Sequence, residues 1–138
     1  MYGKYKHTVD PKGRLFVPSK LREELGEAFY VTLGLDHCLS VYSEQSWHDF
    51  EERLKTMSYS QIKKLRPVFA NAAECEPDAQ GRILLPAKLR GYADLKKEVV
   101  VIGIYDRAEI WNAERWAEME NEAISSGDLE QAMEEMGL

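Results

Sequence analysis

Asp10-Pro-Lys-Gly-Arg-Leu-Phe-Val-Pro-Ser-Lys-Leu-Arg22 returns 68 residues later as Asp78-Ala-Gln-Gly-Arg-Ile-Leu-Leu-Pro-Ala-Lys-Leu-Arg90. Seven of the thirteen positions are identical, and most of the others exchange like for like, as Leu15 with Ile83 and Val17 with Leu85. Further on, Gly34 matches Gly103, Tyr42 matches Trp111 and Trp47 matches Trp116 at a spacing of 69, which asks for one inserted residue between 22 and 34. A repeat of this kind decides the architecture: two copies of one small unit. A unit of about 45 residues is marginal alone, so the two are expected to share a core.

Each copy yields the same elements. Asp10-Pro11-Lys12-Gly13 has turn chemistry, with Pro at the second position and Gly at the fourth. Leu15–Val17 reads as a short strand ended by Pro18, and Ser19–Leu25 as a helix running to the breaker Gly26. Phe29–Leu35 and Leu39–Tyr42 read as a hairpin. In the second copy the corresponding runs are Arg82–Leu85, a helix from Pro86, Val99–Tyr105 and Ala108–Trp111. A helix capped by Ser43 follows the first hairpin, with Trp47, Phe50, Leu54 and Met57 on one face; one capped by Asn112 follows the second, with Trp116, Met119 and Ala123. The three tryptophans at these periodic positions are expected in the core. Ile62, Leu65 and Arg66 suggest a helical turn before Pro67, and the tail Ser125–Leu138 carries Leu129, Met133 and Met136 on one face. The fold expected is α+β, mainly β: half-domains at 5–47 and 73–116, a helical connection at 48–72, and an acidic helix or tail at 117–138.

The chain has 138 residues and a net charge of −6, which by itself argues against a nucleic-acid partner. The charge is unevenly spread. Residues 1–22 carry six basic side chains against Asp10 alone, net +5, and residues 77–97 carry five against Asp78 and Asp94, net +3. Residues 109–138 carry nine carboxylates against Arg115, net −8. A phosphate backbone responds to the local field, so the acidic total does not exclude DNA. No apolar run approaches the ~18 residues of a membrane span, and no hydrophobic signal stretch follows Lys4 and Lys6. Cys38 and Cys75 form no CxxC pair and read as free thiols, which makes a cytoplasmic location the expectation.

Two readings of the duplicated Asp-x-x-x-Arg stand side by side. In one, Asp10, Gly13, Asp78 and Gly81 form turns, and Arg14 and Arg82 pair with the preceding carboxylates. In the other, paired hairpins present Arg14 and Arg82 to a DNA groove, which a two-stranded ribbon fits and where Arg pairs with guanine or clamps phosphate. Lys20, Arg22, Lys88 and Arg90 sit on the short helices, where a solvated face and phosphate contact are equally open. Lys6, His7 and Lys12 extend the basic surface of the first hairpin. Gln80 stands where the first turn has Lys12; it can read adenine but cannot neutralise a phosphate, so the first hairpin is expected to contribute more. His37 and Cys38 find no second pair of ligands, so no metal, cofactor or small-molecule ligand is expected. No nucleophilic triad or phosphate-cradling loop is present, and no enzymatic activity is expected.

These residues together, with Gly-Leu-Asp-His-Cys-Leu from Gly34, resemble the MraZ family over about residues 1–124. The resemblance implies two SpoVT-AbrB-like half-domains interlocked in one pseudo-two-fold β-barrel with flanking helices, made by one chain where single-copy relatives need a homodimer. It also implies a nucleoid-associated, sequence-specific transcriptional regulator, a repressor of its own division and cell-wall gene cluster, that assembles into a homo-oligomeric ring on tandem repeats of promoter double-stranded DNA. By the motif match, Arg14 and Arg82 carry over as the DNA-contacting arginines. The alternative is a ring-forming interaction module of antitoxin type whose basic surface docks an acidic protein partner, with the acidic tail as its docking element.

Overall fold

A computed structural model describes all 138 residues. The first copy runs β1 (Lys4–Thr8), β2 (Arg14–Phe16), α1 (Ser19–Leu25), the hairpin β3 (Phe29–Leu33) and β4 (Leu39–Ser43), then α2 (Glu44–Leu54). Two short helices, α3 (Tyr59–Lys64) and α4 (Arg66–Ala70), lead to the second copy. That copy repeats the order: β5 (Ala73–Cys75), β6 (Arg82–Leu84), α5 (Ala87–Tyr92), β7 (Glu98–Ile104), β8 (Arg107–Asn112) and α6 (Ala113–Ser125). A last helix, α7 (Asp128–Glu135), ends the chain.

Strand pairing crosses between the copies. β1 leaves its own half to pair antiparallel with β7, with Tyr5 opposite Val101, and β5 pairs with β3, with Ala73 opposite Val31. β4 joins β8, and β2 joins β6 with Leu15 opposite Ile83. The six-stranded order β1-β7-β8-β4-β3-β5 reads the same from either end in terms of the repeat, so a pseudo-two-fold axis passes between β4 and β8 and through the β2–β6 ribbon. The interlock implied by the resemblance is present.

The closed barrel is not. β1 and β5 remain free edges of the larger sheet, and β2 with β6 forms a separate two-stranded sheet, with one isolated bridge from Leu15 to Val9 just after β1. The tight turn after each first strand throws the chain across the face of the sheet, and three residues of β2 or β6 are too few to extend the ladder around an edge.

The ribbon is the lid of the main core. Leu15, Val17, Ile83 and Leu85, with Leu21, Leu25 and Leu89 from α1 and α5, are buried against Phe29, Val31, Val41, Val99, Val101 and Ile110. Alternation then puts Tyr30, Tyr42, Val100 and Trp111 on the outer face. There α2 and α4 cover the first half in an aromatic stack in which Tyr30 and Trp47 lie 4.9 Å apart and Phe50 and Phe69 5.8 Å. α6 covers the second half, with Trp116 edge-on to Trp111 at 5.5 Å. Only Trp111 is fully buried; Trp47 and Trp116 are half-buried over the sheet rather than in the core.

The caps read from sequence are present: Ser43 Oγ accepts from Ser46 N at 3.1 Å, and Asn112 Oδ1 from Glu114 N at 2.9 Å. The helical turn expected before Pro67 is present as α3. Pro67 itself occupies the first turn of α4, where its missing N–H leaves no gap. The repeat spacing also needs one correction. Ser43 and Asn112 are 69 apart, but the hairpin registers place Phe29 opposite Ser43 and Val99 opposite Asn112, so β3 and β7 are offset by 70. Leu33, not Gly34, is therefore the counterpart of Gly103. Gly103 is small for a separate reason: a Cβ there would lie 2.4 Å from Tyr2 N, where the N-terminal segment crosses it.

Leu15 is fully buried beneath the ribbon. Leu15→Ala is expected to lower unfolding free energy by about 2–5 kcal/mol, read by chemical denaturation. A loss under ~1 kcal/mol would contradict the role given to the ribbon as lid of the core.

Candidate nucleic-acid interface

Both Asp-x-x-x-Arg segments fold into one and the same turn. Asp10 O accepts from Gly13 N at 2.9 Å, and Asp10 Oδ1 accepts from the backbone N–H of Lys12 and of Arg14, each at 2.9 Å. Asp78 repeats this, with Gly81 N, Gln80 N and Arg82 N all at 2.9 Å. The carboxylate is a short acceptor that satisfies two donors its own turn leaves unpaired. Gly13 and Gly81 have φ of 82° and 81°, a left-handed conformation that favours glycine.

The arginine after the glycine closes the motif. Arg14 Nε donates to Asp10 Oδ2 at 2.6 Å, and Arg82 Nε to Asp78 Oδ2 at 2.9 Å. The pairing reading of these arginines is thus realised, yet it uses only Nε. Their Nη groups donate to no protein acceptor, and the side chains are 33% and 31% exposed. The aspartate fixes where each guanidinium sits and leaves its outer edge open, which suits two parallel bonds to a planar or tetrahedral oxyanion.

On the ribbon, Leu15 and Ile83 point inward, so Arg14, Phe16, Arg82 and Leu84 share the outer face, with Arg14 opposite Leu84 and Arg82 opposite Phe16. His7 joins this surface, its ring 5.1 Å from that of Phe16, and burial holds its pKa below the ordinary value. Lys12 and Gln80 are exposed at the tips of the two turns. Lys6 lies apart. It projects from the other side of β1, toward a groove beside α6 lined by Trp116, Ala117 and Glu120, and is not brought together with the arginines.

Two further arginines reach the turns. Arg22 Nε donates to Val17 O at 2.8 Å and Arg90 Nε to Leu85 O at 3.0 Å. Each guanidinium then lies against the glycine of the opposite turn: a Cβ on Gly81 would sit 2.8 Å from Arg22 Cζ, and one on Gly13 3.0 Å from Arg90 Cζ. Sequence reasoning placed both on a helix face and had no signal for this contact, because the two partners belong to different halves. The first tip therefore carries Lys12, Arg14 paired to Asp10, and Arg90 beside Gly13; the second carries Arg82 paired to Asp78, and Arg22 beside Gly81.

No helix is long and apolar enough to cross a membrane, and no group of three His, Cys, Asp or Glu is placed to hold a metal ion. What the fold and its surface define is a duplicated, strand-exchanged protein that displays two matched arginine turns. Comparison with protein-family models gives a match to "MraZ protein, putative antitoxin-like" at residues 1–66 and again at 68–137. Among curated proteins, the chain is 51% identical to the "Transcriptional regulator MraZ" of Caldicellulosiruptor saccharolyticus, over 100% of this chain and 99% of that one. It is 50% identical to the protein of the same name from Heliobacterium modesticaldum, over 90% and 89%, and 52% to that from Carboxydothermus hydrogenoformans, over 83% and 82%. The chain belongs to the MraZ family.

The turns carry a pH signature. The backbone N–H of Arg14 bonding Asp10 holds that carboxyl below its ordinary value, as the backbone N–H of Arg82 does for Asp78; partial desolvation opposes this and the arginine side chains reinforce it. A depressed folded-state value stabilises the turn above the unfolded-state value of about 3.9, and that contribution is lost as pH falls through the folded-state value. The Lys12, Arg14, Gln80 and Arg82 amide resonances are expected to stay constant from pH 7 to about 5 and to move only below about 4. Movement centred above that would contradict the bonded turn.

Proposed function

We propose that this chain is a DNA-binding transcriptional regulator that grips duplex DNA with its two Asp-x-x-x-Arg turns. The observation that carries the reading is the pair of identical turns, each with an arginine pinned through Nε and open through Nη, set on one ribbon across the pseudo-dyad. The names of its relatives support the same role.

In finer detail, the protein is a repressor of its own division and cell-wall gene cluster and works in the cytoplasm on the nucleoid. It reads sequence with Arg14 and Arg82, helped by Lys12 and Gln80 at the tips and by His7 beside Phe16, while Lys6 adds positive charge on the far side of β1. The two reading units are residues 5–47 and 73–116, joined by 48–72 and followed by the acidic segment 117–138. One copy neutralises few phosphates, so a homo-oligomeric ring on tandem promoter repeats would supply the affinity through avidity. The protein is not an enzyme in this reading and uses no cofactor.

Binding of the purified protein to its own upstream DNA over a salt series tests this. Arg14→Ala with Arg82→Ala is expected to reduce affinity to the level for random DNA, a loss on the order of a hundredfold or more, with the assembly state unchanged. Arg14→Ala alone should cost more than Arg82→Ala, because Lys12 assists the first turn and Gln80 the second. Deleting residues 125–138 should change DNA binding little. Unaltered binding by the double variant sinks the reading; loss of binding on deleting the tail favours the interaction-module alternative.

A further inference from the structure

We infer that Arg22 and Arg90 are positioning residues that act in trans: Arg90 of the second half sets the first turn, and Arg22 of the first half sets the second. The effect on binding rests on the DNA reading above, but the trans arrangement is a property of the free protein.

One residue at each end of the ribbon carries the connection. Val17 N donates to Gly81 O at 2.9 Å, while Val17 O accepts from Arg22 Nε. Leu85 N donates to Gly13 O at 2.9 Å, while Leu85 O accepts from Arg90 Nε. The opposite glycine is therefore held by a backbone bond on one side and covered by a flat guanidinium on the other. Gly13 and Gly81 are buried although both lie in surface turns. The absence of a Cβ lets the guanidinium lie against the turn, so the glycine serves the contact as well as its own left-handed φ.

Lysine does not substitute in this geometry. A guanidinium offers a fixed Nε donor and a planar face at once, whereas an ammonium offers a point charge on a flexible stem. Arg22 is steadied further by lying 5.4 Å over the Phe16 ring. Leu84 occupies the equivalent place in the second half, so Arg90 has no such ring.

Arg14 Nε is tied to Asp10, and Asp10 is tied to the Lys12, Gly13 and Arg14 amides. Whatever displaces Gly13 displaces the outer edge of Arg14. A substitution in the second half is thereby coupled to the DNA-facing group of the first.

The test uses the full chain in two arms. In DNA-free protein, Arg90→Ala is expected to speed amide hydrogen exchange at Lys12, Gly13 and Arg14 and to leave Gln80, Gly81 and Arg82 unchanged, with Arg22→Ala giving the mirror image. The unaffected turn serves as the internal check that the variant is folded. In binding, Arg90→Ala is expected to weaken affinity about tenfold, to multiply in full with Arg82→Ala, and to add much less to Arg14→Ala. Arg90→Lys should behave like Arg90→Ala. Exchange that rises in the variant's own half, or in neither turn, overturns the inference. Full multiplication with Arg14→Ala, or complete rescue by lysine, also overturns it, since either marks Arg90 as an independent phosphate contact. Failure of the wild-type protein to bind duplex DNA, alongside the crossed exchange pattern, removes the DNA reading and supports the trans arrangement.

Discussion

A strand that leaves its own half to find a hydrogen-bonding partner ties the fate of the two halves together. β1 has its ladder on β7 and β5 has its ladder on β3, so neither half can satisfy its first strand unless the other is folded. The same holds at the ribbon, where Leu15 and Ile83 close one core from both sides of the pseudo-dyad. The placement of the two turns follows from this exchange. The turn that follows each first strand is carried over the partner half and fixed there by the bonds from Val17 to Gly81 and from Leu85 to Gly13. The arginine turns are thus held by the core rather than suspended from it.

Duplication within one chain frees the copies to diverge, and the divergence is electrostatic. Lys6 and His7 on β1 have Glu74 and Cys75 as their counterparts on β5, and Lys12 has Gln80. The scaffold is symmetric while its field is not: the first copy carries Lys12 at its turn tip and Lys6 on the far side of β1, and negative charge gathers on α6 and α7. A symmetric dimer of single-copy units could not make this distinction. The outer face diverges too. Tyr30, Trp47, Phe50 and Phe69 stack over the first half, and the second half has Val100 and Met119 beside Trp116.

Much of this is legible in the residues alone. The turns were legible because Asp, Gly and Arg each answer a local demand, and the demand recurs 68 residues on. The helix Ser19–Leu25 and both side-chain caps were legible for the same reason. Three features were not, and each involves a partner far away in the chain. The open sheet depends on where β1 and β5 find acceptors, and pairing within or across the halves would satisfy the same donors. The 70-residue offset of β3 and β7 shows only in the hairpin registers, and Gly103, crossed by the N-terminal segment, reads from spacing alone as the counterpart of Gly34. The contacts of Arg22 and Arg90 join two halves, so no periodicity on either helix reveals them. Lys6 was grouped with the arginines by proximity in sequence, and strand alternation separates it from them.

In the proposed function, the two turns, locked through each other's halves, form one DNA-facing surface. Amide chemical-shift mapping during titration with duplex DNA from the region upstream of the coding sequence tests it most directly. The account predicts that the shifted amides cluster in residues 10–16 and 78–84, in both copies at once and at the same DNA concentration. Shifts centred on α3, α4 or α7, or confined to one turn with the other untouched at saturation, would contradict it.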